Sequence, residues 1–227
     1  MNTTLDLTRH ARRRLVSFLQ ETGNVISPDH SIALRTLCEA FFAMGNGEIE
    51  GRWAVGLPTG AGKTSAAIEC MATLHHLGNT DMSVVVSAGR IKALWDMKHG
   101  LMDAGVPEHK IGLLYVDGKN AKDENGKPLP GYLPPIDSTE GDTKQFLLIS
   151  HQRTAMKDCL EEFRTYQGKP RSVVVYDESL LVSEVCHFDA LRLCGELAQY
   201  ETIFRMRLRE KPELAGICGW LSGRRKL

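Results

Sequence analysis

No run in the 227-residue chain reaches the length of a membrane span, and its polar start, Met1 to Arg14, has no apolar core of a secretion signal. A spanning helix needs about 20 apolar residues, so a protein without a membrane partner, located in the cytoplasm, is expected. Neither sign of charge is in excess: 28 Lys and Arg face 28 Asp and Glu. The bulk charge therefore does not mark a nucleic-acid binder, although a balanced total still permits a local basic face. Cysteines at metal-ligand spacing are missing. Cys38, Cys70, Cys159, Cys186, Cys194 and Cys218 are scattered with no Cys-x-x-Cys pair, which argues against a disulfide framework and against zinc. Cys186-His187 with Cys194 reads as core or surface residues. No internal repeat is evident. An ordinary apolar share of 42% leaves a globular protein of one generous domain, or one domain with appendages.

What is present is organised around Gly56-Leu57-Pro58-Thr59-Gly60-Ala61-Gly62-Lys63-Thr64. A short apolar run, Trp53-Ala54-Val55, predicts a strand before it, and Ser65 to Leu77 predicts a helix after it. Strand, glycine turn ending in Gly-Lys-Thr, and helix is the context of a phosphate-binding P-loop. Gly60 and Gly62 allow the backbone to curl around phosphate oxygens where side chains would collide. The helix start presents N–H groups and a favourable dipole to an anion. Pro58, Thr59, Gly60, Ala61, Gly62, Lys63, Thr64 and Ser65 are thus candidate binding residues for ATP. Lys63 would reach the β- and γ-phosphates, and the Thr64 hydroxyl would ligate Mg²⁺. Six positions before Lys63 the strict pattern has Gly; here Leu57 stands there, with Gly56 one place earlier.

Upstream, Thr8 is the expected cap of a helix with Ala11, Leu15, Phe18 and Thr22 on one face and Gly23 as its stop. Arg9, His10, Arg12, Arg13 and Arg14 cluster there, either as a solvated helix face or as a contact for phosphates. Ser27-Pro28 opens a second helix that runs to Gly45. Downstream, strands are expected at Met82–Val86, Lys110–Val116, Phe146–Ile149 and Ser172–Tyr176, with helices at Ile91–Ala104 and Thr154–Tyr166. That alternation predicts an α/β fold: a mostly parallel sheet with helices on both faces. Asp117 to Thr143, with four prolines and many charges, reads as a long surface loop, either functional or a tolerated insertion.

A phosphate-binding loop needs an acid on a neighbouring strand. Val173-Val174-Val175-Tyr176-Asp177-Glu178 supplies two, 114 positions after Lys63. An apolar strand ending in Asp-Glu sets both carboxylates at the strand's C-terminal edge, where α/β proteins bind ligands. Asp177 would hold Mg²⁺, and Glu178 would orient and deprotonate the attacking water.

Together these residues resemble superfamily 2 DEAD/DEAH-like helicases. Pro58 to Thr64 is similar to their motif I, and Asp177-Glu178-Ser179-Leu180 to their Asp-Glu-box motif II. Val84 to Arg90 resembles motif Ia, and Leu148-Ile149-Ser150-His151-Gln152-Arg153 the strand-end motif that follows. The resemblance covers about residues 51–182 and implies the N-terminal RecA-like ATPase domain of a helicase or translocase that works on DNA or RNA. It implies nucleic-acid contacts from Ser87, Arg90, Lys92, Ser150, His151, Gln152 and Arg153. His151 and Gln152 read equally well as a helix-cap and turn cluster.

The expected organisation is a helical extension at 1–50, a RecA-like domain at 51–188 carrying the 117–143 loop, and a helical basic tail at 189–227. The resemblance also implies a second RecA-like domain that supplies arginine fingers. Only 49 residues follow Glu178, no Ser-Ala-Thr motif and no adenine-reading Gln stand out, and Leu221-Ser222-Gly223 is a faint echo. A truncated or split motor with slow hydrolysis alone is therefore expected, the second domain being supplied in trans. Terminase-type or AAA-type motors, and a nucleotide-dependent binding module without turnover, are the alternatives.

Overall fold

Local signals start the first two helices. Helix α1 (Thr4–Glu21) begins after Thr3, whose side chain accepts the Asp6 N–H at 3.2 Å. The expected cap, Thr8, lies inside the helix and is buried, because the inward stripe is Leu7, Ala11, Leu15 and Leu19; Phe18 is exposed. Helix α2 (Pro28–Gly45) starts as read, with Ser27 accepting the His30 N–H at 3.1 Å. Proline at the first helical position loses nothing, since that N–H would have no partner. The computed structural model describes residues 3–116, 127, 128, 130–155 and 163–177, all within the compact unit 1–180.

Helix α3 (Lys63–His76) follows the glycine loop, β1 (Val84–Ala88) leads into α4 (Ile91–Asp103), and β2 (Ile111–Leu114) and β3 (Phe146–Ser150) come next. Helix α5 (His151–Ala155) then precedes a hairpin, β4 (Thr165–Tyr166) and β5 (Lys169–Pro170), and finally β6 (Val173–Asp177). Four of these strands form an all-parallel sheet in the order β2-β3-β1-β6. Val84, Val86, Leu113, Phe146, Leu148 and Val173 point to one face and share a core with Leu7, Leu15, Phe42, Met71 and Leu94 from α1 to α4. Val85, Leu114, Leu147 and Ile149 point to the other and pack with Phe163 and Ile136. Both faces of the central strands are therefore covered, as a parallel sheet requires. The described unit is a mixed helix–strand protein compatible with the α/β class, and none of its described helices is long and apolar enough to cross a membrane.

Three more expectations change. Trp53-Ala54-Val55 forms no strand: no backbone hydrogen bond joins it to a neighbour among the described residues, and Trp53 is 60% exposed. A run of β-formers without a partner strand has nothing to hold its ladder. Within the expected helix Thr154–Tyr166, α5 begins earlier, at His151, and the far end is the hairpin instead. Gln167 and Gly168 both take positive φ, 51° and 71°, as a tight two-residue hairpin turn demands. Last, the 117–143 loop ends in packed structure: Ile136 N–H donates to Leu113 O at 2.8 Å, and a 3₁₀ segment covers Ser138–Thr143.

Arg171 ties these pieces together. Its buried guanidinium donates to the carbonyls of Phe163 (2.9 Å), Gln145 (3.2 Å), Val84 (3.4 Å), Gly141 (2.7 Å) and Lys144 (3.0 Å). Burial pulls its pKa down to about 10, against the opposing pull of Asp142 and Tyr166. The expected helix at 189–209 and the basic tail lie outside the described residues.

Candidate functional site

The loop before α3 is shaped by two glycines. Gly60 and Gly62 have φ of 80° and 85°, the left-handed region that L side chains rarely adopt. At Gly62 a Cβ would also come within 3.2 Å of Leu19 Cδ1, so α1 closes the loop from behind. Gly62 is the N-cap of α3 and offers no side chain to the first-turn amides. Those N–H groups have no partner within a helix, which makes such a terminus attract anions.

The charged groups sit around this turn. Lys63 Nζ folds back and donates to Leu57 O at 2.6 Å and Pro58 O at 3.1 Å. Thr64 Oγ1 donates to Asp177 Oδ2 at 2.9 Å, joining residues 113 positions apart. Asp177 is the last residue of β6 and lies in register with Ala88 of β1. It shares the face of Val173 and Val175, which pack toward α3. A hydroxyl and a carboxylate oxygen side by side are hard donors of the kind Mg²⁺ accepts, the remaining positions usually going to phosphates and water. No group of three or more His, Cys, Asp or Glu able to hold a metal occurs among the described residues. The fit is therefore to a cation shared with a phosphate ligand, not to an all-protein cage. Pro58 and Thr59 are exposed and Ala61 half-buried. Ser65 lines a groove of about 550 Å³ between α1, α3 and α4, with Arg14, Glu69, Asp96 and His99. Glu178 lies outside the described residues.

The second set of predicted residues gathers at the ends of β1 and β3, where Ala88 pairs with both Ser150 and Asp177. Strand β1 runs to Ala88, two residues further than its sequence suggests, and this encloses Ser87 completely (0% exposed). Its hydroxyl bonds Thr154 Oγ1 at 3.0 Å, and its carbonyl accepts His151 Nε2–H at 3.2 Å. Ser150 is buried and accepts the Arg153 N–H at 3.3 Å, a helix-start turn. His151 and Arg153 are half-buried, and Gln152 is exposed. Arg90 is the N-cap residue of α4 and is exposed, and Lys92, two residues on, holds Asp96 at 2.9 Å. The members of this set that face solvent are thus Arg90, Lys92 and Gln152.

Sequence reasoning missed His30. From the first turn of α2 its Nε2–H donates to Ala61 O at 3.0 Å, inside the loop. No spacing rule flags it, because the contact depends on how α2 crosses α3.

Compared with known protein families, curated proteins and solved structures, the chain finds no match. The fold and the loop therefore define it only as far as a parallel-sheet protein with a glycine–lysine–threonine turn set against a strand-end aspartate.

Proposed function

We propose that this chain binds ATP with Mg²⁺ and hydrolyses it, as the RecA-like motor domain of a superfamily 2-like helicase or nucleic-acid translocase. The observation that carries this reading is the 2.9 Å bond between Thr64 and Asp177. It joins the two halves of the sequence pattern, loop and strand-end acid, through one direct contact. Amides at the start of α3 would hold phosphate oxygens, and Lys63 would exchange the Leu57 and Pro58 carbonyls for the β- and γ-phosphates. Thr64 and Asp177 would hold Mg²⁺, which when bound neutralises charge developing on the phosphates. Glu178, next along the chain, is the proposed base for the attacking water. Arg90, Lys92 and Gln152 are the proposed polar contacts for a DNA or RNA strand. A second RecA-like domain in trans is the proposed partner that would complete the site.

The test is nucleotide binding and phosphate release by the purified chain. Lys63→Ala should lose ATP binding, and Glu178→Gln should keep binding but lose release above background. Unchanged turnover in Lys63→Ala would remove the assignment. Binding without any release in the wild type would leave a nucleotide-dependent binding module.

A further inference from the structure

The strongest feature the proposed ATP site does not absorb is the outer face of α1. Four arginines fall within residues 9–14 of a chain whose total charge is balanced. Arg9, Arg12, Arg13, Val16, Ser17 and Gln20 line an open groove of about 400 Å³. Their spacing places them on one helical face. Three are guanidiniums, and the two neutral polar groups can each donate a hydrogen bond.

Little neutralises this face. Arg9 reaches Asp6 only at 3.8 Å, with both side chains mostly exposed, a pair of little worth. Arg12 donates to a neutral partner on α2, Ser31 Oγ, at 2.8 Å. Glu21 at the far end takes the Ser17 hydroxyl at 3.0 Å. Arg13 faces no carboxylate among the described residues. Arg14, by contrast, turns to the inner flank and bonds Glu69 at 2.7 Å, so it is spent.

We infer that this face binds the phosphodiester backbone of a nucleic acid. A lipid surface is a poor fit, because membrane-bound amphipathic helices need a free apolar face, and Leu7, Ala11, Leu15 and Leu19 are buried in the core. An acidic protein is also a poor fit, since the buried core of a protein interface is largely apolar, and Val16 is the one apolar residue in the groove. A phosphate backbone needs only a row of donors, drawn mostly from Arg, Lys, Ser and Gln. Arg9 and Arg13 lie about 6 Å apart along the axis at about 1.5 Å per residue, close to two phosphate steps of about 3.4 Å each along one strand of a duplex.

This inference rests on the nucleic-acid part of the proposed function but not on the ATP site, and the experiment separates them. Binding of a fluorescein-labelled single-stranded oligonucleotide is followed by anisotropy, without nucleotide, across a salt series. Arg9→Gln/Arg13→Gln should weaken binding about tenfold and reduce the slope of log K against log salt by about 1.4, at about 0.7 per contact. Thermal stability and nucleic-acid-free ATP turnover should not change. Arg13→Gln alone, with an expected slope loss of about 0.7, serves if the double variant is unstable. Unchanged affinity and slope in these variants, with losses in Arg90→Gln/Lys92→Gln instead, would overturn the α1 site and leave the motor reading standing. No oligonucleotide binding by the wild type at about 50 mM salt would overturn both nucleic-acid assignments while leaving ATP binding to its own test. Competition by polyglutamate equal to that by oligonucleotide of the same charge would overturn the choice of nucleic acid.

Discussion

Lys63 donates to two carbonyls of its own loop, and Thr64 to Asp177. Each bond satisfies a polar group that a phosphate or a cation would otherwise claim, so the two residues differ in what they test. Thr64→Val removes the oxygen but keeps the shape. It should abolish the Mg²⁺-dependent part of ATP affinity, a loss of at least the roughly 10–100-fold that removing an outer ligand partner costs, while Thr64→Ser retains it. Titration of ATP with and without EDTA reads the difference, and an equal Mg²⁺ effect in Thr64→Val would take the hydroxyl out of the cation site. At this scale the left-handed turn at Gly60 and Gly62 and the meeting of Thr64 with Asp177 were legible in the sequence. Backbone curvature demands glycine there, and the glycine loop and the apolar strand ending in an acid each carry a local signal. His30 and the burial of Ser87 were not legible, since each follows from how one element crosses another.

Elements were read well where one local signal acts alone and poorly where pairing decides. Ser27-Pro28 fixed the start of α2, and Gly45 its end. Strand β1 was read two residues early because Met82 and Ser83 are apolar or neutral and equally buried; Ser83 O accepts the N–H groups of Ser172 and Val173 at 3.1 Å, while Met82 packs against Gly45. The β4–β5 hairpin hides in a helix-like stretch, and its turn is fastened by Asp142. That carboxylate accepts the Gly168 N–H at 3.2 Å. The Thr165 hydroxyl first, then Gly168 and Arg171, hold its pKa below the usual aspartate range. A depressed folded-state pKa adds stability above the unfolded value and loses it as pH falls through the folded one. Asp142→Asn should therefore cost at most about 1 kcal/mol at neutral pH, solvent screening the exposed carboxylate, and the gap should narrow at an acidic pH well below the usual aspartate value of about 3.9. Urea midpoints at the two pH values check this. A gap of equal size at both would mean that the carboxylate's charge contributes nothing.

For the molecule as a whole, the first two helices are not an appendage to the sheet. Leu7, Leu15, Leu19, Leu34, Phe41 and Phe42 lie in the same core as Val84, Leu148 and Val173, and Arg14 ties α1 to Glu69 of α3 and to Ala104 O at 3.3 Å. Six large side chains at about 1.5–3 kcal/mol each amount to roughly the whole stability of a domain, about 5–15 kcal/mol. A chain lacking residues 1–46 should show no cooperative thermal transition by circular dichroism. A sharp transition would mean that α3, α4 and the sheet suffice. The alternating order of helices and strands made the α/β character readable from the sequence. The merging of the first helices into the central core was not, because amphipathic helices look alike whichever neighbour they cover. The two described tryptophans stand in opposite surroundings: Trp53 projects into solvent just ahead of the glycine loop, while Trp95, 3% exposed, is closed in by the rings of Tyr115 and Tyr132 at 6.3 and 5.6 Å. Dissolved iodide can collide with one of these indoles and not the other, so a Trp220→Phe variant carries an intrinsic optical gauge of events at the loop, with no dye attached.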